Sequence, residues 1–388
     1  MHTLFHIIGV ATLSSIALSC NLYVSHRLVA PRYGNKGMRI YFLTHCFILL
    51  ILATIGITAS MGGMQENLST LVWVMYSFML IYLPLFSYSL VSWIDYLKRP
   101  RGKIGHYLGC ALAILSIITT VGATFNRYRI QVKDVTIESH RLPQEFDNYR
   151  IVHISDLHLE MLYSRSYAQK IVDRINELQP HIILFTGDLV HRRAIELNDY
   201  KDILSQLQAR DGIFSVMGNH DYGDFVKWRN EAERLANLQL LDSLQAGMGW
   251  NKLDNDHTFI YSDNDSIAII GVENWGEPPF QQHGDLEVAY PTLQDDNFKI
   301  LLSHNPRHWE AHVLPQSNID ITLSGHTHAM QWSIGKWSPA VIRYKQWGGL
   351  YQENEQYLYV NIGLGCTMTP TRLGATPEIT LITLKTAQ

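Results

Sequence analysis

Four cysteines in 388 residues leave no room for a disulfide scaffold or a zinc knuckle. Cys20, Cys46, Cys110 and Cys366 never fall at C-x-x-C spacing, and three of them sit in apolar runs. The one thiol in the polar part, Cys366, has no internal partner there, so an oxidising compartment is neither required nor excluded. Acid is nearly missing from the first third: residues 1–126 hold only Glu66 and Asp95 against eight Lys/Arg. Residues 127–388 reverse the balance, with 33 acids against 23 basic residues. Such a surface repels a phosphate backbone, so nucleic acid is not expected as a partner. No low-complexity tract or repeat appears, and 47% hydrophobic residues exclude a largely disordered chain.

Charge is also missing from four long runs: 4–24, 40–60, 71–93 and 107–125 contain no Asp, Glu, Lys or Arg. Each can cross a hydrocarbon core, which takes about 20 helical residues. Buried helices of a soluble core would show charges at helical spacing on an exposed face, and these runs have none. The sequence therefore predicts an all-α membrane region of four transmembrane helices over 1–126, a connector over 127–147 and a soluble domain over 148–388. Arg27, Arg32, Lys36 and Arg39 lie between runs one and two, and Lys98, Arg99, Arg101 and Lys103 between runs three and four. By the positive-inside rule both loops are cytoplasmic. That makes the chain an integral protein of the cell (inner) membrane with its soluble domain on the external, periplasmic face.

The soluble part alternates short apolar runs with amphipathic stretches. Residues 151–155, 182–186 and 213–217 read as strands and 167–178 and 197–207 as helices, a βαβαβ pattern and hence an α/β fold. Further strands are expected at 258–261, 266–272, 299–303, 319–324, 357–362 and 378–385. Polar residues sit just past five of these strand ends: Asp156-Leu157-His158, Gly187-Asp188, Gly218-Asn219-His220-Asp221, Ser303-His304 and Gly325-His326-Thr327-His328. Open α/β sheets place their sites at one such edge. The donors mix oxygen and nitrogen, which suits Mn, Fe or Zn over Ca or Mg. In extended backbone, Asp-x-His and His-x-His put both side chains on one face. Any one motif alone reads as a turn; five in order read as a metal site.

That order, D-x-H, G-D, G-N-H-D, H and G-H-x-H, resembles the calcineurin-like metallophosphoesterase family over about residues 148–388, and the membrane-attached organisation is similar to that of its anchored members. The resemblance implies a four-layer αββα sandwich and two divalent metal ions, with Mn the first choice and Fe or Zn the alternatives. It implies Asp156, His158, Asp188 and His328 on one ion, and Asp188, Asn219, His304 and His326 on the other. Asp188 would bridge the two through its two oxygens. His220 would serve the leaving oxygen or a phosphoryl oxygen, with Asp221 orienting its ring. Members of the family continue G-H-T-H-G-G-Q, whereas Ala329-Met330 precede Gln331 here.

The expected activity is hydrolysis of a phosphomonoester, phosphodiester or pyrophosphate. A metal-binding membrane sensor without activity is the alternative of a different class, and soluble nucleotides are the alternative substrate. Trp332, Trp337, Tyr344, Trp347 and Tyr351 alternate with Lys336, Arg343 and Lys345. Aromatics beside cations suit the headgroup region of a bilayer, so a phospholipid or lipid-linked phosphate is the favoured substrate and the bilayer itself a partner.

Overall fold

The computed structural model of the chain describes residues 2–61, 64–97, 103–278 and 281–387. Lys98, Arg99 and Arg101, three of the eight basic residues on which the orientation reading rests, lie outside the described residues. The chain divides into two compact units, Met1–Phe125 with Met368–Thr371, and Asn126–Thr367 with Arg372–Gln388.

The first unit is helical: His2–Val24, Ala30–Met61, Met64–Ser92 and Ile104–Asn126. Among the described residues three stretches in it are long and apolar enough to cross a bilayer, Ala11–Ala59, Leu68–Leu97 and Ile104–Asn126, where the sequence predicts four. The first two apolar runs fall in one stretch because the basic segment between them is helical on either side of a break. A π turn, Ser25–Val29, leads directly into Ala30–Met61, and Pro31 falls in that helix's first turn, where its missing N–H costs nothing. The break is at Gly34, with φ 66° and ψ −175°. Asp95 has a structural use: its carboxylate accepts the N–H groups of Gly105 (2.7 Å) and His106 (2.8 Å) and pairs with Arg27. It thus satisfies two orphan donors at the start of Ile104–Asn126.

The second unit holds twelve described strands: β1 Gln131–Ser139, β2 Arg150–Ile154, β3 Ile182–Phe185, β4 Ile213–Ser215, β5 Trp250–Lys252, β6 Asp256–Ser262, β7 Asp265–Gly271, β8 Phe298–Leu302, β9 Ile321–Ser324, β10 Gly349–Glu353, β11 Gln356–Val360 and β12 Glu378–Thr386. They form two six-stranded sheets, ordered β1-β12-β2-β3-β4-β5 and β10-β11-β9-β8-β7-β6. In the first, β2 to β5 run parallel; in the second, β7, β8, β9 and β11 do. The segment expected as a connector, 127–147, carries β1, paired in parallel with β12 from Gln131↔Glu378 to Ser139↔Thr386. Its alternation of Val132, Val135 and Ile137 with charged residues is too loose to announce a strand without its partner.

Period-two alternation builds the layers. Ile151, Ile182 and Leu184 face a core shared with Ile267, Ile269, Ile300 and Leu302 of the other sheet. Their neighbours Val152, Ile183 and Phe185 face a second core with Ile171, Ile175 and Leu241 of the helices Arg165–Glu177 and Glu231–Ala246. Beyond the second sheet, Ala268, Ile270 and Leu301 pack on Leu286, Trp309 and Val313. Helix, sheet, sheet, helix is the expected four-layer sandwich.

Two helices depart from expectation. The stretch 197–207 is a 3₁₀ turn, Ala194–Asp199, followed by one α turn, Lys201–Leu204. The Glu196 carboxylate there accepts N–H groups of His191, Arg192, Arg193 and Glu160, which fixes a loop in place of a longer helix. Glu231–Ala246 is absent from an apolar-run reading. Its signal is Asn230, whose side chain accepts the Glu233 N–H (2.9 Å), followed by Leu238, Leu241 and Leu244 at helical spacing.

Candidate metal centre

The sequence expects five successive strands to deliver the site to one edge of one sheet. Instead two sheets share the task. Asp156 and His158 follow β2, Asp188 follows β3 and Asn219, His220 and Asp221 follow β4 of the first sheet; His304 follows β8 and His326 and His328 follow β9 of the second. The chain crosses from the first sheet to the second between β5 and β6. The i, i+2 pairs are also not extended: Asp156, His158, Asp188, His326 and His328 all have left-handed φ, between 45° and 72°. Such backbone costs about 1–3 kcal/mol per residue and persists where the surroundings enforce it. Close packing enforces it here, since a Cβ on Gly218 would fall on Asp188 Oδ1.

These turns bring the donors together. Asp156, His158, Asp188 and His328 offer ligand atoms within 4.8 Å of one another, and so do Asp188, His304 and His326. Asp188 belongs to both groups through one oxygen: Oδ2 lies 3.4 Å from His158 Nε2 and 3.3 Å from His304 Nε2. Its other oxygen, Oδ1, accepts the His220 N–H at 2.8 Å. Asn219 Oδ1 joins the second group, 3.2 Å from His304 Nε2.

Whether a cation fits follows from the donor chemistry. His304 Nδ1 lies 2.7 Å from the Thr186 carbonyl, which can only accept, so Nδ1 carries the hydrogen and Nε2 of the neutral ring keeps its lone pair. That lone pair, Asp188 Oδ2 and Asn219 Oδ1 then face one another with no hydrogen to share. In the other group His158 Nε2 and His328 Nε2 stand 2.9 Å apart, with Asp156 Oδ1 3.2 Å from the latter. Convergent electron pairs such as those of the second group call for positive charge. Burial alone would push the His304 imidazolium down, yet the charge of Asp188 and its hydrogen bond raise the pKa to about 9. A proton is held where a cation fits. His158 and His326, by contrast, are driven by burial to about 4 and about 3, leaving neutral rings suited to coordination.

His220 belongs to neither of these groups; with His158 and His191 it forms a third, whose ring nitrogens also lie within 4.8 Å of one another. Its Nδ1 is 2.7 Å from the His191 carbonyl, and its ring is stacked between His191 (4.7 Å) and Phe225 (4.1 Å). Asp221 does not orient that ring, contrary to expectation. Both its oxygens are taken by backbone N–H groups: Asp188 (2.8 Å) and Gly218 (2.9 Å) on Oδ2, Val190 (3.0 Å) on Oδ1. It ties the loops after β3 and β4 together. Burial first, and the charge of Asp188 second, raise its pKa to about 7. His191 is a site residue that the motif pattern passes over. Its Nδ1 is 3.1 Å from His158 Nδ1, and its place three residues after Asp188 is the signal that marks it.

Arg372 is fully buried, donating to the carbonyls of Gly365 (2.8 Å), Ile362 (3.0 Å) and Ala375 (3.2 Å), with Nη2 3.1 Å from His328 Nδ1. It supports a ligand from behind. Ala329 and Met330, which stand where relatives carry glycine, keep a glycine-like backbone with φ of 51° and 47°. Because a Cβ in this region costs roughly 1–2 kcal/mol, Met330→Gly, at an exposed position, should raise stability by about 0.5–1 kcal/mol. That corresponds to a melting point ~1–3 °C higher for a domain of this size. An unchanged or lower melting point would show that the Met330 side chain contributes more than its backbone costs.

A calcineurin-like phosphoesterase family model matches residues 149–330, which contain every residue of both groups. The metallophosphoesterase YkuE of Bacillus subtilis is 30% identical over 294 residues, 71% of this chain and 94% of its own length. The transmembrane protein with metallophosphoesterase domain of Bos taurus is 30% identical over 78% of this chain and 68% of its own. UDP-2,3-diacylglucosamine pyrophosphatase LpxG of Chlamydia trachomatis is 29% identical over 64% and 88%. Likeness on this scale, on top of an Asp/His cluster made for divalent metal, places the chain in the calcineurin-like phosphoesterase family as a phosphoester hydrolase.

Proposed function

We propose that the protein is a membrane-anchored hydrolase of an acyl-bearing phosphoester or pyrophosphate, working with two divalent cations, Mn by preference. Asp156, His158, Asp188 and His328 hold one and Asp188, Asn219, His304 and His326 the other. The observation that carries this reading is Asp188 Oδ2, common to two convergent sets of electron-pair donors. When bound, such cations lower the pKa of water and neutralise phosphoryl charge. The chain's own residues do the rest. His220 Nδ1–H donates to the His191 carbonyl, so Nε2 carries a proton for the departing oxygen only in the imidazolium form, which burial disfavours and the charge of Asp188 favours. Asp221 fixes Asp188 and Asn219 relative to each other, and Arg372 holds His328.

The lipid half of the reading rests on exposed apolar side chains. Trp332, Ile334, Trp337, Val341 and Ile342 all face solvent, Ile342 at 85% exposure, beside Lys336 and Arg343. Tyr344 and Trp347, expected among them, are packed inward, Trp347 against Ala329, Ile362 and Ala375. Exposed aromatics with cations suit an anionic headgroup layer, each cation contributing about 1 kcal/mol there. The name of the chlamydial relative, a diacylglucosamine pyrophosphatase, agrees with an acylated substrate. Replacing Trp332 and Trp337 with Ser should raise KM for a lipid phosphate in mixed micelles several-fold and leave hydrolysis of a soluble aryl phosphate unchanged. A parallel fall in both activities, or hydrolysis of soluble nucleotides alone, would end the lipid reading.

The 49-residue stretch Ala11–Ala59 would extend about 74 Å as one helix, more than twice a hydrocarbon core of about 30 Å. We read it as two spans divided near Gly34, giving four in all with the basic loops inside and the catalytic unit outside. In intact cells a cysteine introduced at the exposed Asn264 should then react with an impermeant maleimide and one at Asn35 should not. The reverse labelling would put the catalytic unit in the cytoplasm.

A further inference from the structure

The segment after the G-H-T-H loop is fastened back onto it. Thr327 Oγ1 donates to the Trp347 carbonyl (2.6 Å) and Ser338 Oγ to the Ala329 carbonyl (2.6 Å). Between these two anchors, Tyr344 places its hydroxyl 2.8 Å from His326 Nε2, with the two rings edge to face at 5.4 Å. Tyr344 is buried, its hydroxyl able both to donate and to accept. The other nitrogen of His326, Nδ1, points into the donor set, 3.1 Å from His304 Nε2.

We propose that Tyr344 is a positioning residue for the metal centre: its oxygen accepts the His326 Nε2–H and so holds the tautomer in which Nδ1 presents a lone pair to the second cation. This rests on the metal reading above. An imidazole has one hydrogen to place, and whichever nitrogen is occupied by an acceptor decides which is free to coordinate. His304 shows the same device with a different acceptor, its Nδ1–H being taken by the Thr186 carbonyl. Each histidine of the second group thus has its far nitrogen assigned, one by backbone and one by Tyr344. A phenol oxygen can also donate, so the arrangement works only because the hydroxyl hydrogen is free to turn away from Nε2. The aromatic-rich stretch that invites a lipid reading therefore also contains a support of the catalytic site.

Partners of this kind tune metal affinity by about 10–100-fold. Tyr344→Phe keeps the ring and removes only the oxygen. In the full-length protein in detergent, stripped of metal and titrated with Mn²⁺ by calorimetry, the wild type should bind two ions. Y344F should bind one of them about 10–100-fold more weakly and the other as before. Ser338→Ala, which loosens the same segment without touching His326, should leave both affinities at the wild-type values. If Y344F binds both ions like the wild type, or if S338A weakens the ion as much as Y344F, the hydroxyl does not act through His326 and the proposal fails. A wild type that binds fewer than two ions overturns the metal reading and this proposal with it.

Discussion

Asp188→Asn should abolish the metal centre as a pair: elemental analysis after Mn reconstitution should fall from two ions per chain to one or none, and turnover should fall by on the order of 10³ or more. The substitution is nearly isosteric and leaves an amide oxygen able to accept the His220 N–H, now at 2.8 Å on Oδ1. What it removes is the one negative charge that both donor groups share. The wild-type Oδ2 stands 3.3 Å from His304 Nε2 and 3.4 Å from His158 Nε2, so an NH₂ group there would turn hydrogens toward two ligand nitrogens. The loop itself should survive, because Asp221 holds the Asp188 N–H independently of the side chain. Unchanged far-UV circular dichroism would confirm that. Full metal content in the folded variant would mean that a different carboxylate bridges, and Asp156 is then the next candidate.

Much of this centre is legible in the chain because its chemistry is local. Each motif is two to four residues long and follows an apolar run, so the five motifs can be picked out by position, while the choice of Asp156, His158, Asp188, Asn219, His304, His326 and His328 within them comes from the resemblance to the family. How they converge is another matter. Left-handed φ at five of them, imposed by tight contacts such as that of Gly218 with Asp188, leaves no trace in a pattern of apolar residues. The Gly-Gly of relatives is the nearest clue, and here Ala329 and Met330 hide it. Asp221 shows the same limit. An acid next to a histidine reads as its partner, but three backbone N–H groups from two loops claim it first.

The fold divides along the same line. Strands buried on both faces, such as β3 and β8, announce themselves as unbroken apolar runs. β1 does not, because most of its residues are exposed and its identity depends on β12, well over 200 residues away. The two-sheet origin of the site is hidden likewise, since sheet membership is a matter of pairing and not of sequence order. In the helical unit the four charge-free runs are plain, while the helical turns on either side of Gly34 in the basic segment between the first two are not.

His220→Ala should separate chemistry from metal binding, keeping two ions per chain while slowing hydrolysis about 100-fold or more. The geometry supports each half of that expectation. His220 Nδ1 is committed to the His191 carbonyl at 2.7 Å, and the ring stacks on His191 and Phe225. Removing it takes away no donor from Asp156, His158 and His328 or from Asn219, His304 and His326. It does remove the Nε2 that we assign to the departing oxygen, and the loss should be larger for a poor leaving group than for an activated one, which needs no proton. An alkyl phosphate should therefore suffer more than a nitrophenyl phosphate, and the ratio of the two rates is the measurement that distinguishes proton donation from simple binding of a phosphoryl oxygen. Equal losses on both substrates would assign His220 to phosphoryl binding. Loss of an ion in H220A would make it a ligand, a role open to it through the third histidine group, His158, His191 and His220, whose ring nitrogens also lie within 4.8 Å of one another.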